Sequence, residues 1–216
     1  MTNQEIVSHI DHTLLKATAS WEDIQQLCEE AILYKTASVC IPPSYVQAVH
    51  EAYGDKLKLG TVIGFPLGYS VTPVKVAEAE AALTAGAAEI DMVINIGEVK
   101  NGHFDRVLDE ITRIKQVAGG KILKVIVETC YLTTEEKIHL CGMVTRAGAD
   151  YIKTSTGFGS AGAVLADILL FREHIGPHVK IKAAGGIKTR EDLEAFLAAG
   201  CDRIGTSSTV ALLAAR

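Results

Sequence analysis

Short apolar runs alternate with amphipathic helical patterns eight times along these 216 residues, and no other feature narrows the fold as far. The runs fall at 10–15, 37–41, 57–65, 89–95, 122–128, 151–154, 179–184 and 203–206. They are rich in Val, Ile and other strand formers and are bounded by Gly, Pro or capping residues. Helical spacing fills the gaps between them. Ile24, Leu27, Cys28, Ala31 and Ile32 share one face, as do Val107, Ile111, Ile114 and Val117. Helix starts are marked by Ser20, Thr133 and Thr189, each with an acidic residue three positions on, and helix ends by Gly86 and by Gly119-Gly120. Three related joints, AGAAEIDMV, AGADYIKTS and AGCDRIGTS, each set a helix-ending glycine shortly before a strand. Eight strand-helix units with short connections predict an α/β fold, a (β/α)8 TIM barrel, as a single domain over 1–216. A doubly wound open sheet would show the same alternation, and only the count of eight separates the two.

Composition narrows the function. With 48% hydrophobic and 22% charged residues the chain can bury one large core. A net charge of −5 without a basic run argues against nucleic acid or an anionic membrane surface as partner, while small anionic substrates remain open. The N-terminus has no apolar signal core and no run is long enough to span a bilayer, so the expected location is cytoplasmic. Five cysteines, an odd count with no CxxC, and seven histidines with no HExxH signal neither a disulfide framework nor a metal site. Free thiols are the default.

Barrel enzymes carry their chemistry at the C-terminal ends of the strands. Alternation of faces turns Ile90, Met92 and Ile94 outward and Asp91 inward. The same parity turns Asp11, Cys40, Glu128, Lys153 and Lys182 inward near strand ends, with Ile10, His12, Val39, Ile41, Val127, Ile152 and Ile181 on the outer face. An interior lysine is costly unless it is paired or is there to lose its proton. Lys182 close to Lys153 in a desolvated barrel mouth would disfavour protonation and free an amine to attack a carbonyl as a Schiff base. Asp91 could then move protons through a bound water. Gly185-Gly186 follows the Lys182 strand, and Gly205, Thr206, Ser207 and Ser208 lead into a predicted short terminal helix. Both loops offer backbone N–H groups to an anion where barrels commonly hold phosphate. Gly157, Gly159 and Gly162 match GxGxxG between a strand and a helix, but the next strand ends in Lys182-Ala183-Ala184 and lacks the acid that holds a ribose.

The motifs DHTLL at 11–15, EIDMVIN at 89–95, YIKTSTGF at 151–158, KAAGGIKT at 182–189 and RIGTSS at 203–208 together resemble the deoxyribose-phosphate aldolases over essentially the whole chain. The resemblance implies a barrel that cleaves 2-deoxy-D-ribose 5-phosphate reversibly to D-glyceraldehyde 3-phosphate and acetaldehyde, without metal or other cofactor. It implies Lys153 as the Schiff-base lysine and Asp91 and Lys182 as the acid/base pair. Gly157, Gly185, Gly186, Gly205, Ser207 and Ser208 would hold the phosphate, and Asp11, Cys40 and Thr156 would line the site. Some members carry a lysine where this chain has Phe158 and an arginine where it has Lys188, so phosphate would rest more on backbone amides and Lys188. Some relatives also have a longer tail ending in a tyrosine that assists proton transfer, a contribution not expected from a chain ending at Arg216. Another phosphate-binding barrel, an isomerase or a different Schiff-base aldolase, would share the two loops. A non-enzymatic barrel would instead pair its lysines with Asp91 and Glu128. Oligomeric state is left open, a homo-oligomer (dimer or tetramer) being compatible with the sequence.

Overall fold

The computed structural model describes residues 1–208. Among them eight parallel strands close into a barrel in chain order, with β8 pairing back onto β1. The strands are β1 (Ile10–Thr13), β2 (Ser38–Ile41), β3 (Leu59–Ile63), β4 (Glu89–Val93), β5 (Ile122–Ile126), β6 (Tyr151–Lys153), β7 (Lys180–Ala184) and β8 (Arg203–Thr206). The helices are α1 (Asn3–Val7), α2 (Trp21–Tyr34), α3 (Val46–Tyr53), α4 (Thr72–Thr84), α5 (Ile96–Lys100), α6 (Phe104–Ala118), α7 (Thr134–Arg146), α8 (Leu165–His174) and α9 (Arg190–Ala199). This is the expected (β/α)8 barrel, and the open-sheet alternative is excluded. The predicted terminal helix after Thr206 and the expectation about the tail lie outside the described residues.

The reciprocal caps read from the sequence form at Ser20 with Asp23, Thr133 with Glu136 and Thr189 with Asp192. Each satisfies two backbone N–H groups that a helix start would otherwise leave unpaired. Several strands are shorter than their apolar runs, because the chain turns as soon as ladder pairing ends. The run 89–95 stops at Val93, since the Asn95 side chain accepts from the Glu98 N–H (3.3 Å) and caps α5. The run 122–128 stops at Ile126, with Glu128 in the left-handed region at φ 57°. Both α5 and α1 are five residues long, too short for a 3.6-residue period to show.

Outward-facing strand residues form the apolar layer beneath the helices. Val39, Ile41 and Leu59 meet Ile24, Leu27 and Cys28 of α2, while Ile90, Met92, Ile152 and Ile181 join a larger cluster that includes side chains of α6, α7 and α8. One polar pair interrupts that layer. The Lys75 ammonium on α4, fully buried, donates to Glu110 Oε1 on α6 (2.8 Å) and to the Val93 carbonyl (2.7 Å). Glu110 Oε2 accepts from the Asn95 N–H at 3.1 Å. The pair therefore fastens the end of β4, two residues beyond Asp91. Among the described residues, no helix is long and apolar enough to cross a membrane.

Candidate active site

Inside the barrel the inward positions of six strands bring three carboxylates and four cations together. Asp91, third in β4, lies opposite Lys124 of β5, and Lys153 of β6 lies opposite Lys182 of β7. Lys153 Nζ and Lys182 Nζ both donate to Asp91 Oδ2, each at 2.7 Å, while Lys124 Nζ donates to Asp91 Oδ1 at 2.9 Å. Lys182 Nζ also donates to Asp11 Oδ2 at 2.5 Å. Deeper, Lys124 Nζ lies 2.5 Å from Glu89 Oε2 and 3.4 Å from Asp11 Oδ2. Arg203 donates to Asp11 Oδ1 and, at 3.2 Å, to Glu89 Oε1. All of these residues are buried. A cluster of this kind survives desolvation only because nearly every oxygen meets a cation.

The lysines are not equivalent. Lys182 is pulled between two carboxylates, and although burial opposes its charge, Asp11 and Asp91 hold its pKa above the ordinary lysine value. Lys124 is pushed up further against the same burial cost by Asp11, Asp91 and Glu89. Lys153 shares a single oxygen of Asp91. Burial therefore prevails and pushes it below the ordinary value, Asp91 opposes, and the Lys182 charge adds to the lowering. Burial thus contributes more to that lowering than the Lys182 charge does. Burial also disfavours the Asp91 carboxylate, yet Lys124, Lys153 and Lys182 outweigh it and hold Asp91 well below the usual range.

Above this cluster a cavity of about 280 Å³ opens at the C-terminal ends of the strands, with Lys153 and Thr156 in its lining. Gly157, Gly185, Gly186, Gly205, Ser207 and Ser208 line it too, so both predicted phosphate loops reach the same cavity as the lysine. Lys188 and Lys16 add two further ammonium groups, and among the described residues that line the cavity none is a carboxylate. The glycines are required for the approach of the two loops. A Cβ on Gly162 would lie 2.2 Å from the Gly185 carbonyl oxygen, and Gly185 itself sits at φ +82° with Gly157 and Gly162 Cα atoms against it. Gly157 and Gly162 of the GxGxxG match are thus explained by packing of the β6 loop on the β7 loop, and Gly159 by its approach to Cys130 and Glu128 after β5. The Ser208 N–H, proposed from sequence as an anion donor, donates to Thr206 Oγ1 at 3.1 Å.

Asp91, Lys153 and Lys182 are in direct contact, as parity placed them inside. Asp11 and Cys40 face the same interior but are not among the residues that line the cavity. Burial pushes the Cys40 thiol up to about 11. Glu128 does not pair with a lysine as the non-enzymatic alternative required. Its carboxylate accepts from the Thr156 N–H (3.1 Å) and hydroxyl (2.5 Å). Burial raises its pKa and the Thr156 bonds oppose that rise. Sequence reasoning missed Lys124, Arg203 and Lys16. The first two share the parity of Glu128 and Gly205 and were open to the same argument, while Lys16 sits in the DHTLLK loop with no pattern to mark it.

Comparison with known proteins agrees with the geometry. Residues 6–214 match the family model described as DeoC/LacD family aldolase. The chain is 62% identical over 213 residues to the deoxyribose-phosphate aldolase of Clostridium botulinum (strain Alaska E43 / Type E3), covering 99% of this chain and 96% of the relative. It is 54% identical over 210 residues to that of Clostridioides difficile (strain 630), covering 97% and 96%. Among solved structures, the tetrameric deoxyribose phosphate aldolase of Aeropyrum pernix superposes with a TM-score of 0.92 at 34% identity, over 98% of this chain and 91% of that one. With matches of this extent, the chain belongs to the DeoC/LacD family of aldolases and groups within it with the deoxyribose-phosphate aldolases.

Proposed function

We propose that this enzyme cleaves 2-deoxy-D-ribose 5-phosphate reversibly to D-glyceraldehyde 3-phosphate and acetaldehyde through a Schiff base on Lys153. The observation that carries the reading is an amine whose pKa burial lowers and which lines a cavity walled by glycine and hydroxyl loops. The neutral Lys153 amine adds to the C1 aldehyde of the open-chain sugar, and the carbinolamine loses water to give an iminium. Removal of the C3 hydroxyl proton then lets the C2–C3 bond break, its electron pair moving into the iminium to form an enamine as glyceraldehyde 3-phosphate leaves. Protonation of the enamine carbon and hydrolysis release acetaldehyde, consume the water lost earlier and restore the amine. Asp91, acting through water, moves the protons, and Lys182 keeps a positive charge beside both groups. Phosphate sits among Gly157, Gly185, Gly186, Gly205, Ser207 and Ser208, balanced by Lys188. A cytoplasmic location remains part of the reading, as does a homo-oligomer, the latter supported by the tetrameric relative; light scattering of the purified enzyme tests the assembly.

Incubation with deoxyribose 5-phosphate, with separate detection of both products, tests the reaction itself. Equimolar acetaldehyde and glyceraldehyde 3-phosphate support it. An isomerised sugar phosphate, or cleavage only of a different sugar phosphate, would overturn it.

A further inference from the structure

The barrel interior contains charges that the proposed reaction does not use. Arg203 and Glu89 sit at the first positions of β8 and β4, at the opposite end of the strands from the cavity. They are buried and touch no residue of the cavity lining through the hydrogen bonds or ion pairs they make. An arginine and a glutamate alone could be a bolt for the barrel, but their contacts are more selective than that. Arg203 takes Asp11 Oδ1 and Glu89 Oε1. That leaves Asp11 Oδ2 for Lys182 and Glu89 Oε2 for Lys124. Lys182 and Lys124 in turn occupy Asp91, among the described residues the carboxylate that Lys153 touches. Each deep group thus fixes which oxygen remains for the lysine above it.

We propose that Arg203 and Glu89 are positioning residues for the aldol chemistry, a buried pair of opposite charges that sets, through Asp11, Lys182 and Lys124, the electrostatic environment of the Lys153 amine. The inference rests on the Schiff-base reading above. The titratable groups facing Lys153 are contributed strand by strand. β1 gives Asp11, β2 Cys40, β4 Asp91 with Glu89 beneath it, and β5 Lys124, with Glu128 just past its end. β3 offers none, and β6 adds Tyr151, whose ring lies 6.0 Å from the Arg203 guanidinium carbon and 5.9 Å from the Lys180 ammonium. β7 gives Lys182 and β8 Arg203. Within the contact network, Arg203 and Glu89 carry opposite charges at similar depth. A bolt would lose activity on removal of either; a charge-setting pair moves the amine in opposite directions.

A unit charge on the order of 10 Å away, at an effective dielectric near 20, shifts a titration by about one pH unit. Removing the Arg203 cation eases protonation of Lys153, so the rise of imine formation with pH moves to more alkaline pH. Removing the Glu89 anion moves it to more acid pH. The test is the rate of borohydride-trapped acetaldehyde adduct on Lys153 against pH, in the full-length enzyme. Arg203→Gln is expected to shift the midpoint about one unit up, Glu89→Gln about one unit down, and the double variant to return near the starting value, while Arg203→Lys leaves it in place. Loss of rate at all pH values without opposite shifts would overturn the inference. If Arg203→Gln does not fold, Glu89→Gln decides alone, an acid shift supporting the proposal and an unmoved midpoint refuting it. Absence of any Lys153 adduct in the unaltered enzyme would remove the Schiff-base reading and this inference together, whereas adduct formation with unmoved midpoints sinks only the inference.

Discussion

Replacing Lys182 by Met removes one cation from the oxygen it shares with Lys153 and leaves a chain of similar length. Both ammonium groups lie 2.7 Å from Asp91 Oδ2, so they are at most about 5.4 Å apart and their repulsion at an effective dielectric near 20 is at least about 3 kcal/mol. Without it, the proton on Lys153 is held more tightly by about that amount, and Asp91, relieved of one partner, attracts it more strongly still. Since about 1.4 kcal/mol is a factor of ten in a protonation equilibrium, the unprotonated fraction of Lys153 at neutral pH falls by about 100-fold. The assay is the initial rate of adduct formation with acetaldehyde and borohydride, followed by mass spectrometry from neutral to strongly alkaline pH. The variant should be about 100-fold slow at neutral pH and should recover as pH rises and the amine deprotonates. A neutral rate close to that of the parent enzyme would show that Lys182 does not control the amine. Equal loss at every pH would show that it acts by shaping the cavity rather than by charge.

Other consequences follow from the same geometry. Asp91→Asn should leave imine trappable while turnover of deoxyribose 5-phosphate falls by orders of magnitude, and near-normal turnover would reduce Asp91 to an ion-pair partner. Ser208→Asp adds a carboxylate to the cavity lining; KM for deoxyribose 5-phosphate should rise about tenfold or more and that for plain deoxyribose should not, whereas equal losses would withdraw Ser208 from the phosphate site. Lys75→Met leaves Glu110 buried and unpaired, and chemical denaturation should report about 3–5 kcal/mol of lost stability; a change under about 1 kcal/mol would mean that the pair does not fasten β4. Native Cys40, buried and with its thiol raised to about 11, should react with iodoacetamide far more slowly than in the unfolded chain, and rapid native labelling would contradict that burial.

The strand-helix order and the inward turn of Asp91, Lys153 and Lys182 were legible because they follow from local periodicity and from the two-residue alternation of strands, both of which act within one element. The partners of those residues were less so. Arg203 obeys the same alternation but opens β8, away from the ends where barrel chemistry was sought, whereas Lys124 stands level with Asp91 and was open to the same parity argument. Lys75 reads as an ordinary helix lysine, and only the packing of α4 on α6, between residues 35 apart, turns it into a buried cation held by Glu110. Glu128 is inward in a continued strand, yet the backbone leaves the ladder after Ile126 and delivers its carboxylate to Thr156 instead of a lysine. The glycines of the β6 loop invited a dinucleotide reading, and the reason for Gly162, the Gly185 carbonyl 2.2 Å from where a Cβ would stand, exists only once two distant loops meet.

Peptide mapping after borohydride reduction in the presence of acetaldehyde tests the central claim most directly. The account predicts one reduced adduct, on the peptide containing Lys153, its yield rising with pH as the amine loses its proton. An adduct on Lys182 or Lys124, or none on any interior lysine while deoxyribose 5-phosphate is still cleaved, would contradict it.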